Sequence, residues 1–197
     1  MHACNLTSAS HFADFFISEN RKKNDIGNDC LVSVDGTDFR VEASGAHWYS
    51  HKYLSSGVRY EVGLCILSGD IVWIEGPFPC GAWPDINIFR RSIIHYLEEG
   101  EWVEADDGYI GESPLHCKIP SMMGPTNSPE YEAMESRVAN RHETVNKRFK
   151  HWACMKNRFS HSPKKHGSCF RAVAVFTQLS IDFGEPLFST IYDDTVA

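Results

Sequence analysis

No stretch of the chain approaches the roughly 18 uninterrupted apolar residues that cross a bilayer. The N-terminus, MHACNLTSASHFADFF, has no basic segment leading into an apolar one. The expectation is a chain that neither spans a membrane nor shows a secretion signal. Cysteine pairing is missing as well: the seven cysteines (Cys4, Cys30, Cys65, Cys80, Cys117, Cys154, Cys169) are odd in number, scattered, and never in C-x-x-C. That pattern excludes a spacing-defined disulfide framework and fits a reducing intracellular compartment. There is no internal repeat, no low-complexity tract and no Gly-x-Ser-x-Gly, so a repeat array and a serine-hydrolase elbow are excluded. Basic charge is also short, with 19 Lys+Arg against 26 Asp+Glu, a net −7 that at first sight speaks against a nucleic-acid partner.

What the chain does have is enough apolar material to fold. Hydrophobic residues make up 42% and charged residues 23% of 197, which suits one domain with a single core. Residues 9–19 carry apolar residues at helical spacing, and 20–28 form a polar linker. The expected organisation is therefore an N-terminal helix and linker over 1–28, a folded domain over 29–188, and a tail over 189–197.

Within the domain, CLVSVDGTDFRVEA predicts two short strands, with Val32 and Val34 on the first and Phe39 and Val41 on the second. Gly36 falls in the hairpin turn between them and Asp35 ends the first strand. Tyr60, Val62, Leu64 and Ile66 alternate along the next strand, and Ser68-Gly69-Asp70 turns the chain into IVWIE. GPFPCGAWP (76–84) reads as a rigid loop, followed by a helix from Asp85 through Ile88, Phe89, Ile93, Ile94 and Leu97 to Gly100. WVEAD and LHCKI follow as short strands. Ser128-Pro129-Glu130 starts a long helix bearing Tyr131, Met134, Val138, Val145 and Phe149, and SCFRAVAVFTQLSIDF forms the last helix. An antiparallel three-strand meander, a crossover helix, a strand parallel to the first and a long packing helix are what an RNase H-like α/β domain requires, a mixed sheet flanked by helices. A doubly wound sheet would alternate strand and helix from the start.

In such a sheet the first strand is central and the fourth lies beside it, while the long helix crosses the same edge. Asp35, Asp106 at the end of WVEAD, and Glu143 in RVANRHETVNKRFK would then meet. Three carboxylates supply hard oxygen ligands suited to Mg2+ or Mn2+. Two such ions can hold the attacking and leaving oxygens of a phosphoryl transfer in line. Each acid alone has a plainer reading. Asp35-Gly36 suits a hairpin turn, Asp106-Asp107-Gly108 a solvated turn, and Glu143 an i,i+4 pair with Lys147. Their joint placement on three elements makes them candidate catalytic and metal-binding residues.

The strings VDGTDFRV, GPFPCGAWPDINIFR, EADDGYIGE and RHETVNKRFK, in this order and spacing, resemble the catalytic domain of DDE superfamily endonucleases, the transposases of the Harbinger type. The resemblance runs over about residues 30–188. It implies metal-dependent cutting of DNA, and in full transposition attack of the freed 3′-hydroxyl on target DNA. Carried over residue by residue, it puts the first metal aspartate on Asp35, the second on Asp106 and the glutamate on Glu143. Asp38 and Asp107 are neighbours of the chosen acids, with Asp107 open to a supporting role. Asp85 matches a recurrent aspartate of the family, although its place after Pro84 also suits a helix cap. Pro77 and Pro79 have no amide to offer a phosphate. Only 34 residues precede Asp35, so the expectation is either a fragment or domesticated remnant, or a separate protein that supplies DNA targeting. A DNA substrate implies a nuclear location. A homo-oligomer is compatible with such a domain.

Two alternatives stay open. Cys154, His161, His166 and Cys169 could form a tetrahedral zinc site, though their spacing matches no standard finger; otherwise the cysteines pack near helix ends and the histidines join a basic loop. The chain could also be a DNA-binding or scaffolding protein without catalysis.

The net charge averages two unlike parts. Residues 137–171 contain ten Lys+Arg and a single acid, Glu143. Arg141, Lys147, Arg148, Lys150, Lys156, Arg158, Lys164 and Lys165 from this stretch are the candidate DNA-binding residues, with Phe149, Trp152 and Phe159 interleaved. DNA is thus expected on the C-terminal helical third.

Overall fold

The computed structural model describes residues 30–66, 68–119 and 129–188, with the backbone alone over 129–135. The helix expected over 9–19, the linker, the tail, the Ser128 cap and the side chains of Tyr131 and Met134 lie outside the described residues. Strands β1 (Cys30–Arg40), β2 (Tyr49–Ser50), β3 (Ser55–Cys65) and β4 (Ile71–Pro79) come first. Helix α1 (Asp85–Arg91), β5 (Trp102–Glu104), β6 (Cys117–Lys118), α2 (Pro129–Phe149), α3 (Ala153–Lys156) and α4 (Pro163–Phe183) follow. β3 lies antiparallel between β1 and β4, and β2 pairs with its first residues. On the other side of β1, β5 and then β6 run parallel, giving a mixed six-stranded sheet. This is the RNase H-like arrangement that the element order predicts, with β1 central.

Both faces of the sheet are covered, which is why its strands are apolar on both sides. Val32 and Val34 share one face with Val103 and pack against Phe89, Ile93 and Tyr109. Phe39, Tyr60, Val62 and Leu64 occupy the opposite face under Val145 and Phe149 of α2 and Phe170 and Val173 of α4. Phe170 locks α4 down: its ring lies 4.0 Å from Tyr60, 5.0 Å from Phe149 and 5.1 Å from Phe39. Each such buried side chain contributes about 1.5–3 kcal/mol, so the helices are held by packing rather than by propensity. Among the described residues no helix is long and apolar enough to cross a membrane.

Several local expectations are overturned. The predicted hairpin at Gly36 is one continuous strand, so Asp35 stands in mid-strand, opposite Val62. The ladder to β3 outweighs the turn preference of Asp-Gly, since a long register of paired residues competes against one local signal. The Gly-Pro-Phe-Pro segment is not a loop but the continuation of β4 to Pro79. The helix from Asp85 stops at Arg91 and continues as a 3-10 turn over Ile93–Tyr96. There Ser92 Oγ donates to the Ile88 carbonyl at 2.7 Å, a back-bond that disturbs regular helix. WVEAD is strand only to Glu104. The last helix starts five residues early, at Pro163 behind Ser162, because Ser-Pro is a start signal that the polar first turn disguises.

Candidate active site

β5 pairs with β1 only as far as Ser33 opposite Glu104, so beyond it the edge of β1 is open. Asp35 lies just past that point. Asp106 sits two residues beyond β5 and starts a 3-10 turn over Asp107–Glu112, its Oδ1 accepting from the Gly108 amide at 2.9 Å. α2 crosses the same opening and brings Glu143. The three acids, with Ser33, Glu104 and His142, line one cavity of about 230 Å3. Three elements distant in sequence therefore meet where the topology requires.

The carboxylates differ in state. Asp35 is pushed up to about 6, first by burial and then by the charge of Asp106, against Lys52 and a hydrogen bond from Asn146 Nδ2 to its Oδ2 at 3.2 Å. Glu143 turns outward: its side chain is 69% exposed and its carboxylate is 3.5 Å from Lys147 Nζ. Among the described residues no three His, Cys, Asp or Glu side chains converge closely enough to hold a metal ion. The donor chemistry nevertheless fits a hard divalent cation, which would relieve the repulsion between Asp35 and Asp106. Glu143 joins them only by leaving Lys147, a contact of about 0.3–0.5 kcal/mol at an exposed position.

Other residues around the opening were not foreseen. Asn146 is one helical turn after Glu143, a spacing that could have flagged it. His142 is buried with its Nε2 2.9 Å from Ser33 Oγ, and burial lowers it to about 4, so it is neutral. Asp85 is not the helix cap that its position suggests: Pro84 occupies the cap and no side-chain cap bond forms. Its Oδ2 instead accepts from Arg59 Nη1 at 3.1 Å. Arg59 Nε and Nη2 bind Asp38 at 2.7 and 3.1 Å, and Ser50 Oγ donates to Asp38 at 2.7 Å. Asp38 is thus on the other face of β1 from Asp35 and fully committed. Asp107 is exposed in the 3-10 turn.

The basic segment divides. Lys147, Lys156, Arg158, Lys164 and Lys165 are exposed. Arg148 is half-buried, and its buried Nη1 has no partner among the described residues. Lys150 is half-buried, lying 5.7 Å from the Phe39 ring and 6.0 Å from Tyr53, and burial holds its ammonium below the usual lysine range against the pull of Asp38 and Asp35. Arg141 does not belong to a DNA-facing surface. It is 2% exposed, and its guanidinium donates to the carbonyls of Ile66 at 2.5 Å and Phe188 at 2.8 Å, tying α2 to the end of β3 and to the chain after α4. Phe149 and Phe159 are core residues, whereas Trp152 is exposed and stacked on Phe176 at 5.4 Å.

The four zinc candidates do not assemble. Cys154 and Cys169 pack together against the core, His161 is exposed with its edge to Phe159, and His166 is buried with its Nδ1 2.8 Å from Tyr60 Oη. The reading of His166 as part of a basic loop is therefore corrected; burial lowers it to about 4.

No curated protein and no solved structure matches the chain. The sequence profile described as DDE superfamily endonuclease matches residues 34–178, which takes in Asp35, Asp106 and Glu143. With most of its length inside that match and a sheet of the corresponding order, the chain belongs to the DDE superfamily endonuclease family.

Proposed function

We propose that the chain is the catalytic domain of a metal-dependent DNA endonuclease or transposase, cutting phosphodiester bonds by phosphoryl transfer. The observation that carries this reading is the single cavity lined by Asp35, Asp106 and Glu143 from β1, the turn after β5, and α2. Asp35, Asp106 and Glu143 would hold the divalent ions, Mg2+ or Mn2+. When bound, these supply Lewis-acid charge at the scissile phosphate and an activated water. Asn146 orients Asp35 through its Oδ2. The neutral His142, pinned by Ser33, walls the cavity without adding positive charge that would compete for the carboxylates. Exposed Lys147, Lys156, Arg158, Lys164 and Lys165 would grip the phosphate backbone. DNA as substrate puts the protein in the nucleus, with a separate DNA-binding protein as a partner for targeting.

A second reading, a non-catalytic DNA-binding or scaffolding remnant, is favoured by one observation: Glu143 pairs with Lys147 rather than with the aspartates. Nicking of supercoiled plasmid in Mg2+ or Mn2+ separates the two. Wild type is expected to nick and Asp106→Asn to fail; equal nicking by both would sink the assignment of Asp106. DNA binding that weakens with salt, without any nicking by wild type, would establish the scaffold reading.

A further inference from the structure

The carboxylate of Asp85 lies against the backbone of Gly36, one residue after Asp35, and faces Gly108 of the Asp106 turn across a wider gap. A Cβ on Gly36 would fall 1.9 Å from its Oδ1, and one on Gly108 3.8 Å from its Oδ2. Only the bare glycine one residue after Asp35 permits that approach. Oδ2 is fixed by Arg59, which is itself held by Asp38, while Oδ1 is buried and has no hydrogen-bond partner among the described residues. Leaving an acceptor buried and unpaired is unfavourable, and here it sits beside further negative charge. Burial, then Asp38, Asp35 and Asp106, push this carboxyl up to about 6 against the pull of Arg59. A helix cap or a surface ion pair would need none of this.

We infer that Asp85 is a positioning residue of the acid site: pressed against Gly36 from the Asp38 face of β1, it fixes the backbone that carries Asp35, and its unused oxygen adds negative charge near the cation that Asp35 and Asp106 hold. This rests on the metal-dependent reading above. It extends that reading to a fourth carboxylate, which acts through its neighbours rather than by touching DNA.

Binding of Mn2+ to the full chain, followed by loss of the free-ion electron paramagnetic resonance signal, tests it without recourse to activity. Asp85→Asn keeps the shape and removes the charge. It is expected to weaken Mn2+ binding about tenfold or more, the usual scale for outer partners of a metal site, while the melting temperature of the metal-free protein does not fall. Gly36→Ala keeps the charge but forces the carboxylate away, and is expected to weaken binding as well. Wild-type affinity in either variant would overturn the inference, as would a loss in Asp85→Asn matched by a lower metal-free melting temperature. Absence of Mn2+ binding by wild type would instead overturn the metal-dependent reading and the inference together.

Discussion

Replacing Asp35 with asparagine should make the protein more stable while removing its proposed metal-binding function. In the fold its carboxyl is raised from 3.8 to about 6. At about 1.36 kcal/mol per unit, that corresponds to roughly 3 kcal/mol of folding free energy forgone at neutral pH. A carboxyl whose folded value lies above its unfolded value carries no penalty below about 3.8; the penalty grows as pH rises and is complete above about 6. Asparagine has nearly the same shape, and its carbonyl can still accept from Asn146. Some of the gain is lost because the amide must orient, which leaves about 1–3 kcal/mol. For a chain of this size, that is about 3–8 °C in melting temperature. Thermal melts of wild type and Asp35→Asn near pH 7.5 and near pH 4 should show the gain only at the higher value, since at the lower one the wild-type carboxyl is itself protonated. Added Mn2+ should raise the wild-type midpoint and leave the variant unchanged. A variant less stable near pH 7.5, or a gain independent of pH, would refute the account of Asp35 as a buried, repelled carboxylate.

Arg141→Met should cost about 2–4 kcal/mol by leaving the Ile66 and Phe188 carbonyls without their donor, with DNA affinity of the folded protein unchanged; denaturant melts and a binding titration check both halves. Lys164→Ala and Lys165→Ala should each lower the slope of log affinity against log salt on duplex DNA by about 0.9, and an unaltered slope would remove that lysine from the interface. His142 and His166 are held near 4 in the fold against 6.5 unfolded, so stability is complete above about 6.5 and is lost as pH falls from there toward 4. Urea midpoints against pH should show that loss, and His142→Gln should reduce it. Phe170→Ala should cost about 3–5 kcal/mol by opening the stack that joins α4 to the sheet.

The parts of the fold that could be read in advance are those carried by local pattern. Tyr60, Val62 and Leu64 alternate because they share the face of β3 that α2 and α4 cover, and Val138, Val145 and Phe149 recur at helical spacing because one stripe of α2 is buried. Where reading failed, a local signal lost to a distant one. Asp-Gly is a strong turn former, but β1 runs through it because β3 supplies the ladder and the Asp85 carboxylate fills the space that a side chain at Gly36 would have taken. The basic segment reads as a uniform run, yet Arg141 is drawn inside by two carbonyls far away in sequence, while the lysines around it remain outside.

Sequence alone therefore determined the sheet-then-helix plan of the domain, the family, and the three acids on which the proposed chemistry rests. These follow from short-range periodicity and from residue types that keep their spacing along the chain. Only the tertiary structure decided that the acids open on one cavity, that Glu143 faces Lys147, and that Arg59 anchors a fourth carboxylate against Gly36. Those outcomes depend on distances through space and on how deeply each charge is buried, quantities fixed by packing between elements that no local stretch of chain contains.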